Sequence, residues 1–289
     1  MFTIENDILT VNINPKGAEL DSIYHKQNQL EYLWSGDPAV WGKKSPILFP
    51  IVGTLKNNTF YYDENPYELS RHGFAREQDF TLVEQSENSV SFSLKGDAET
   101  LKKFPFIFEL VITYTVVENS LTVTYKVINE DPKIMLFSIG GHPAFKVPLV
   151  RETNYEDYYL EFDSKEMAGR WPISPDGLIE SIPTPLLEHT DRISLTRDLF
   201  YQDALVFKHL SSHQVSLKSD KTSHGFTFDF TSFPYLGIWA AKNADFVCIE
   251  PWYGIADTVN SNQQLPEKEG IQQLEAGQTF EAVWSVQLF

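Results

Sequence analysis

Phe106-Ile-Phe-Glu-Leu-Val-Ile-Thr-Tyr-Thr-Val116 decides the fold class. Phe108, Leu110, Ile112, Tyr114 and Val116 fall on one side of an extended chain, and Glu109, Thr113 and Thr115 fall on the other. Side chains alternate between faces along a strand, so this pattern predicts a strand with one face in a core and the other near water. Glu118-Asn119-Ser120 then turns the chain into 121–128, where Leu121, Val123, Tyr125 and Val127 repeat the period. Together the two runs predict a long antiparallel hairpin.

Working outward, similar runs occur at 8–13, 18–24, 59–62, 89–94, 134–139, 157–162, 203–207, 214–218, 226–230, 236–240, 246–250 and 279–288. Gly, Pro, Asn, Asp and Ser dominate the separators. Aromatic residues make up 14%, with 21 Phe and 13 Tyr, which favours strands over helices. One short helix is predicted: Asp97 caps it, Glu99 suits its N-terminus, Lys102 and Lys103 suit its C-terminus, and Pro105 stops it. Region 164–190, with Pro172, Pro175, Pro183 and Pro185, reads as a long loop. No composition shift accompanies it, so it is expected to be an excursion within one sandwich rather than a linker. Residues 1–289 are therefore expected to form a single all-β domain of mostly antiparallel strands.

Charge and cysteine usage narrow the function. Forty acidic residues against 23 basic ones give a net charge of −17. Such a surface repels phosphate backbones and anionic lipid, which argues against nucleic-acid or membrane partners. Cys248 is the single cysteine, so no disulfide can form within the chain, as suits a reducing compartment. It reads as a small buried hydrophobe, and no neighbour in sequence would activate it as a nucleophile. The N-terminus has neither a basic region nor a long apolar stretch, and no run approaches the roughly 18 apolar residues of a membrane span. A cytoplasmic location is expected.

Three short motifs carry the chemistry. In Val-Cys-Ile-Glu-Pro-Trp (247–252), Glu250 ends an apolar run. Burial there would raise its pKa towards a useful general-base value, and Pro251 is expected to end ladder pairing and leave the carboxylate at a strand end. In Gly-Gly-His-Pro-Ala-Phe (140–145), His142 sits between glycines that allow close backbone approach and a proline that stiffens the chain. A histidine there can titrate near neutral pH. In Arg-His-Gly-Phe-Ala-Arg (71–76), Arg71, His72 and Arg76 could clamp hydroxyl, carboxylate or phosphate oxygens. Together these groups offer an acid, a base and a hydrogen-bonding helper to one small polar substrate.

Other signals are weaker. His209 and His213 have a spacing that binds metal from one helix face, but Leu210-Ser211-Ser212 joins two strand-like runs, so a hairpin turn is predicted and no metal site is expected. Nucleotide-cradling glycine motifs and the serine elbow are missing from the sequence.

In the order and spacing of these motifs the chain resembles the aldose 1-epimerase (galactose mutarotase) family, in particular its LacX-like branch. The resemblance runs from Gly17-Ala18-Glu19-Leu20 through Pro46-Ile47-Leu48-Phe49-Pro50 and the two histidine motifs to Ile249-Glu250-Pro251-Trp252. It continues through Gly270-Ile271, Leu274, Gly277 and Phe280. It implies a β-supersandwich with a concave sugar-binding face, and interconversion of pyranose anomers without metal or cofactor. In such enzymes a glutamate takes the proton of the anomeric hydroxyl while a histidine protonates the ring oxygen. The ring opens, the carbonyl turns about C1–C2, and closure follows on the other face. Carried over, Glu250 is the base, His142 the acid, His72 the second active-site histidine and Asp203 the hydroxyl-binding aspartate. One departure stands out: after Gly53, where relatives often carry a sugar-contacting arginine, this chain has Thr54, with Lys56 two residues on.

The expectation is therefore an isomerase acting on a small-molecule sugar, working as a monomer or homodimer. The competing readings are a carbohydrate-binding or sensing protein on the same scaffold, a hexose-6-phosphate mutarotase, and a glycoside hydrolase using Asp203 or Asp229 beside Glu250. Hydrolysis leaves His142 without a role. Convergence of Lys43, Lys44, Arg71 and Arg76 would favour a phosphorylated sugar. The net charge and Thr54 favour a neutral one.

Overall fold

The computed structural model describes residues Met1–Phe289 and consists mainly of antiparallel strands. The hairpin predicted from the opening stretch lies within a nine-stranded sheet. Phe108–Val117 pairs with Ser120–Asn129 in continuous register from Phe108↔Asn129 to Val117↔Ser120. Phe108, Leu110, Ile112, Tyr114 and Val116 are buried, as are Leu121, Val123, Tyr125 and Val127. Fully burying a side chain of this size contributes about 1.5–3 kcal/mol before entropy is counted. The opposite face is half-buried because its polar side chains pair across strands. Ser91 bonds Thr113 at 2.8 Å, and Ser93 donates to Glu109 at 2.6 Å.

The full order of this sheet is Thr184–Ser194, Tyr158–Arg170, Gln214–Ser219, Thr222–Asp229, Thr279–Leu288, Ser120–Asn129, Phe108–Val117, Ser89–Lys95 and Thr81–Gln85. A six-stranded sheet packs against it. Leu205–Lys208, Tyr235–Trp239, Phe246–Tyr253, Ile139–Gly141 and Ile47–Leu48 lie in that order, and Ala144–Lys146 adds a further pairing to Phe246–Tyr253. Phe145 of the smaller sheet meets Phe226 of the larger at 4.2 Å between ring centres, and one core of 70 buried residues runs between the layers. A four-stranded sheet formed by Phe2–Glu5, Leu9–Asn14, Glu19–His25 and Leu30–Glu31 adds to this core through Ile4, Val11, Leu20 and Ile23. No helix is long and apolar enough to cross a membrane.

The predicted helix is present as Ala98–Leu101. Asp97 accepts from the Glu99 and Thr100 amides in a capping box that Thr100 completes. Two expectations need correction. Only 171–183, which holds Pro172, Pro175 and Pro183, is the expected loop; on either side of it Tyr158–Arg170 and Thr184–Ser194 pair as far as Arg170↔Thr184, through register shifts around Glu166 and Gly169. These bulges break the period-2 pattern, which hid the strands. Pro185 is tolerated because Thr184–Ser194 is the outermost strand of the sheet.

Pro251, likewise, does not end its strand. Pairing continues through Leu236↔Pro251 to Tyr235↔Trp252. The Ile249 amide donates to Pro143 O at 3.2 Å, and Pro251, two residues on, turns its nitrogen to the same side. There the neighbouring chain breaks at His142-Pro143 between its two short strands, so no ladder bond is lost. Glu250 therefore stands inside a central strand rather than at its end.

Candidate active site

Along Phe246–Tyr253, Val247 and Ile249 face the large sheet, while Cys248, Glu250 and Trp252 share the other face. On that face lies a cavity of about 230 Å³. Glu250 is opposite Gly237, and Trp252 is opposite Gly140. A methyl group on Gly237 would stand 2.4 Å from the far edge of the Trp252 indole, and one on Gly140 2.7 Å from its near edge. The two missing side chains let the indole lie flat across three strands as the cavity floor.

His142 enters from the break between Ile139–Gly141 and Ala144–Lys146. Its Nε2 is 3.2 Å from Glu250 Oε1, and both residues are buried. Trp41 stacks on the imidazole at 5.0 Å, while the Trp239 and His72 rings meet it edge-on at 5.7 Å. His142 Nδ1 is buried without a hydrogen-bond partner.

His72 adopts a left-handed backbone with φ of 70°. Two bonds to Gly53 hold it there: its amide donates to Gly53 O at 2.9 Å, and its Nδ1 accepts from Gly53 N at 3.1 Å. Accepting at Nδ1 leaves the hydrogen of the neutral ring on Nε2, available to an oxygen in the cavity. Asp203 is also left-handed, with φ of 78°, and its carboxylate accepts from the Ala204 amide at 2.7 Å. Such backbones cost on the order of 1–3 kcal/mol each and gather at functional sites. Arg71 approaches Asp203 at 3.7 Å, and Arg76 donates to the Arg71 carbonyl at 2.9 Å.

Burial sets the electrostatics. It pushes Glu250 well above the usual carboxylate range; Arg71 opposes the shift and Asp203 adds to it. Burial also pushes His142 down to about 3, with Arg71 and Arg76 adding to the effect. His72 is driven well down by burial and then by His142 and the two arginines. The desolvated pair thus favours the arrangement in which neither partner carries charge.

All six residues singled out from the sequence, Arg71, His72, Arg76, His142, Asp203 and Glu250, line this cavity. The four-residue cationic cluster does not form. Lys43 lies 3.1 Å from Glu77, and Lys44 binds Asp21 at 2.9 Å. Nor does Lys56 substitute for an arginine at position 54, because its ammonium binds the carbonyls of Val259 and Ser261. Thr54 packs against Gly177, whose segment supplies Ile173 and Ile179 to the cavity wall. His209 and His213 are exposed on bends rather than on a helix, but the expected hairpin is not formed, because the strands they join, Leu205–Lys208 and Gln214–Ser219, lie in different sheets.

Sequence reasoning missed the aromatic walls, Trp41 and Trp239, which nothing distinguishes from core aromatics. It also read Cys248 only as packing. Its place two residues before Glu250 was the available signal, since that spacing puts both on one strand face. His142, Cys248 and Glu250 bring their ligand-type atoms within 4.8 Å of one another.

A β-sandwich carrying this cavity defines a galactose mutarotase-like protein. The sequence model described as Aldose 1-epimerase matches residues 1–271, and the chain belongs to that family. It is 40% identical over 274 residues to the plasmid-encoded protein LacX of Lactococcus lactis subsp. lactis, covering 92% of this chain and 91% of the relative. The structure of a galactose mutarotase related enzyme from Lactobacillus acidophilus superposes with a TM-score of 0.95 at 35% identity, over 100% of this chain and 97% of that one. That of a galactose mutarotase-like protein from Lactobacillus casei gives 0.91 at 35% identity over 100% of both chains.

Proposed function

We propose that the protein interconverts the α and β anomers of an aldohexose by ring opening, with Glu250 as base and His142 as acid. The observation that carries this reading is the 3.2 Å approach of His142 Nε2 to Glu250 Oε1 inside a cavity. Mutarotation moves one proton from the anomeric oxygen and one to the ring oxygen. Both oxygens are bonded to C1, so the two proton-transfer groups must stand side by side.

Glu250 takes the proton of the anomeric hydroxyl as that oxygen becomes the aldehyde carbonyl. The C1–O5 bond breaks, and His142 supplies the proton that O5 requires. The transfers start from the tautomer of the pair in which its one proton sits on His142 and Glu250 is a carboxylate. Once they are complete both partners are neutral, the arrangement that burial favours, which lowers the cost of the ring-opened state. After rotation about C1–C2, closure reverses both transfers on the other face, so no net proton is consumed. His72 Nε2–H donates to a sugar hydroxyl and Asp203 accepts from one. Trp41, Trp239 and Trp252 offer apolar faces to the C–H surfaces of the ring.

A binding or sensing role is favoured by one observation: Thr54 is spent on packing against Gly177. NMR saturation transfer between α and β anomeric protons separates the readings. Enhanced exchange for glucose or galactose is expected. Sugar binding without enhanced exchange across a broad panel would leave the sensor.

A further inference from the structure

Cys248 Sγ, His142 Nε2 or Nδ1 and a Glu250 oxygen lie within 4.8 Å of one another, and all three residues are buried. They comprise a thiol, an imidazole and a carboxylate, the donor types that bind zinc. Around a tetrahedral zinc, bonds of about 2.0–2.3 Å put neighbouring donors roughly 3.5 Å apart. Imidazole and carboxylate already stand at 3.2 Å, so small side-chain adjustments would bring the trio to that spacing.

Two donors are fixed by the backbone. Cys248 and Glu250 are two apart on one strand and project from the same face. His142 reaches them from the break in the adjoining chain, so no helix or ligand-bearing loop has to move. His142 and Glu250 also line the cavity, which gives an ion an entry path and leaves room for a fourth, solvent ligand. Burial pushes the Cys248 thiol well up, so binding must release its proton, along with any proton on Glu250.

We infer that His142, Cys248 and Glu250 form an inhibitory site for a soft divalent cation such as zinc. Bound through His142 Nε2, the nitrogen that already stands 3.2 Å from Glu250 Oε1, the ion would occupy the two atoms that the proposed reaction needs for proton transfer, so binding and mutarotation exclude each other. Only this inhibitory consequence rests on the reading under Proposed function. Binding itself does not.

The test uses chelator-treated full-length protein. Calorimetry with zinc is expected to give one site, and cobalt(II) a thiolate-to-metal charge-transfer band in the near ultraviolet. Cys248→Ala should weaken zinc by at least about tenfold, since loss of partners outside the coordination shell alone costs about 10–100-fold. The cobalt band should vanish in that variant. Cys248→Val fills the buried space with an apolar group and serves the same comparison if the smaller side chain impairs folding. Zinc should suppress anomer exchange in the parent and not in either variant. Equal zinc affinity in parent and Cys248 variants, or binding lost only with His209 and His213, would overturn the site. Protein that binds zinc through Cys248 but exchanges no anomers would retain the site and remove the mutarotase reading.

Discussion

His142 Nε2 and Glu250 Oε1 face each other at 3.2 Å, with no other carboxylate in contact with the imidazole. The break that places His142 there and the strand interior that holds Glu250 belong to one sheet. Neither position depends on a mobile element.

Replacing either partner removes one of the two proton transfers. Glu250→Gln and His142→Asn are each expected to lower kcat by about 10²–10⁴-fold, with folding retained. Saturation-transfer rates together with circular dichroism check this. Near-normal kcat in either variant would exclude that residue from the chemistry.

The pair titrates as a unit. Because burial sends His142 down to about 3 and Glu250 well up from 4.5, the one-proton form of the pair persists over a wide range. The kcat profile should stay level on the acid side through about pH 5 and fall only towards the His142 value. On the alkaline side it should fall as the pair loses its last proton. Stability follows the same shifts. The Glu250 contribution is complete below its unfolded value and is lost as pH rises through its raised folded value. The His142 contribution is complete above 6.5 and is lost as pH falls towards about 3. Glu250→Gln should therefore flatten the alkaline decline in melting temperature. An acid limb centred near 6.5 would contradict the assignment.

Substrate charge is the next expectation. Neither Lys43 nor Lys44 lines the cavity: Lys44 is tied to Asp21, and Lys43 to Glu77, a carboxylate that Arg76 also approaches at 3.9 Å, while Arg71 approaches Asp203. The net charge of −17 also repels a dianion, although salt screens this beyond roughly 8 Å. Glucose or galactose should show higher kcat/KM than their 6-phosphates at two ionic strengths. Phosphate preference that weakens with salt and disappears in Arg76→Ala would reverse the choice.

Trp252 supplies a structural test. Gly237→Ala puts a methyl group into the indole and should cost about 1–3 kcal/mol, with weakened sugar binding as the floor tilts. Gly42→Ala, whose added carbon meets only ordinary contacts at 3.5 Å, should be nearly neutral. Denaturant midpoints and KM for both variants measure the difference. A Gly237→Ala protein as stable as Gly42→Ala would mean the indole is free to move.

The alternation of Phe108 to Val116 made the central hairpin legible because one face is apolar and the other is not. The strands after Tyr158 were obscured because bulges near Glu166 and Gly169 shift the register, and Pro185 resembles a loop residue until its strand is seen to be an edge. At the cavity, the residues in Arg-His-Gly and Gly-Gly-His-Pro contexts were legible because unusual backbone neighbours mark them. Trp41 and Trp239 were not, since a tryptophan lining a cavity and one in a core look alike in sequence. Lys43 and Lys44 misled as possible anion ligands because sequence proximity does not reveal which carboxylate each will meet.

The place of Thr279–Leu288 carries a consequence for synthesis. This strand lies between Ser120–Asn129 and Thr222–Asp229, not at the margin of the large sheet. A nascent chain that has not yet delivered these residues holds two open strand edges flanking an unfilled slot. Until they leave the ribosome, that slot is a template for pairing with a neighbouring nascent chain. Shortening the chain before Thr279 should therefore yield insoluble polymer, not a smaller soluble protein.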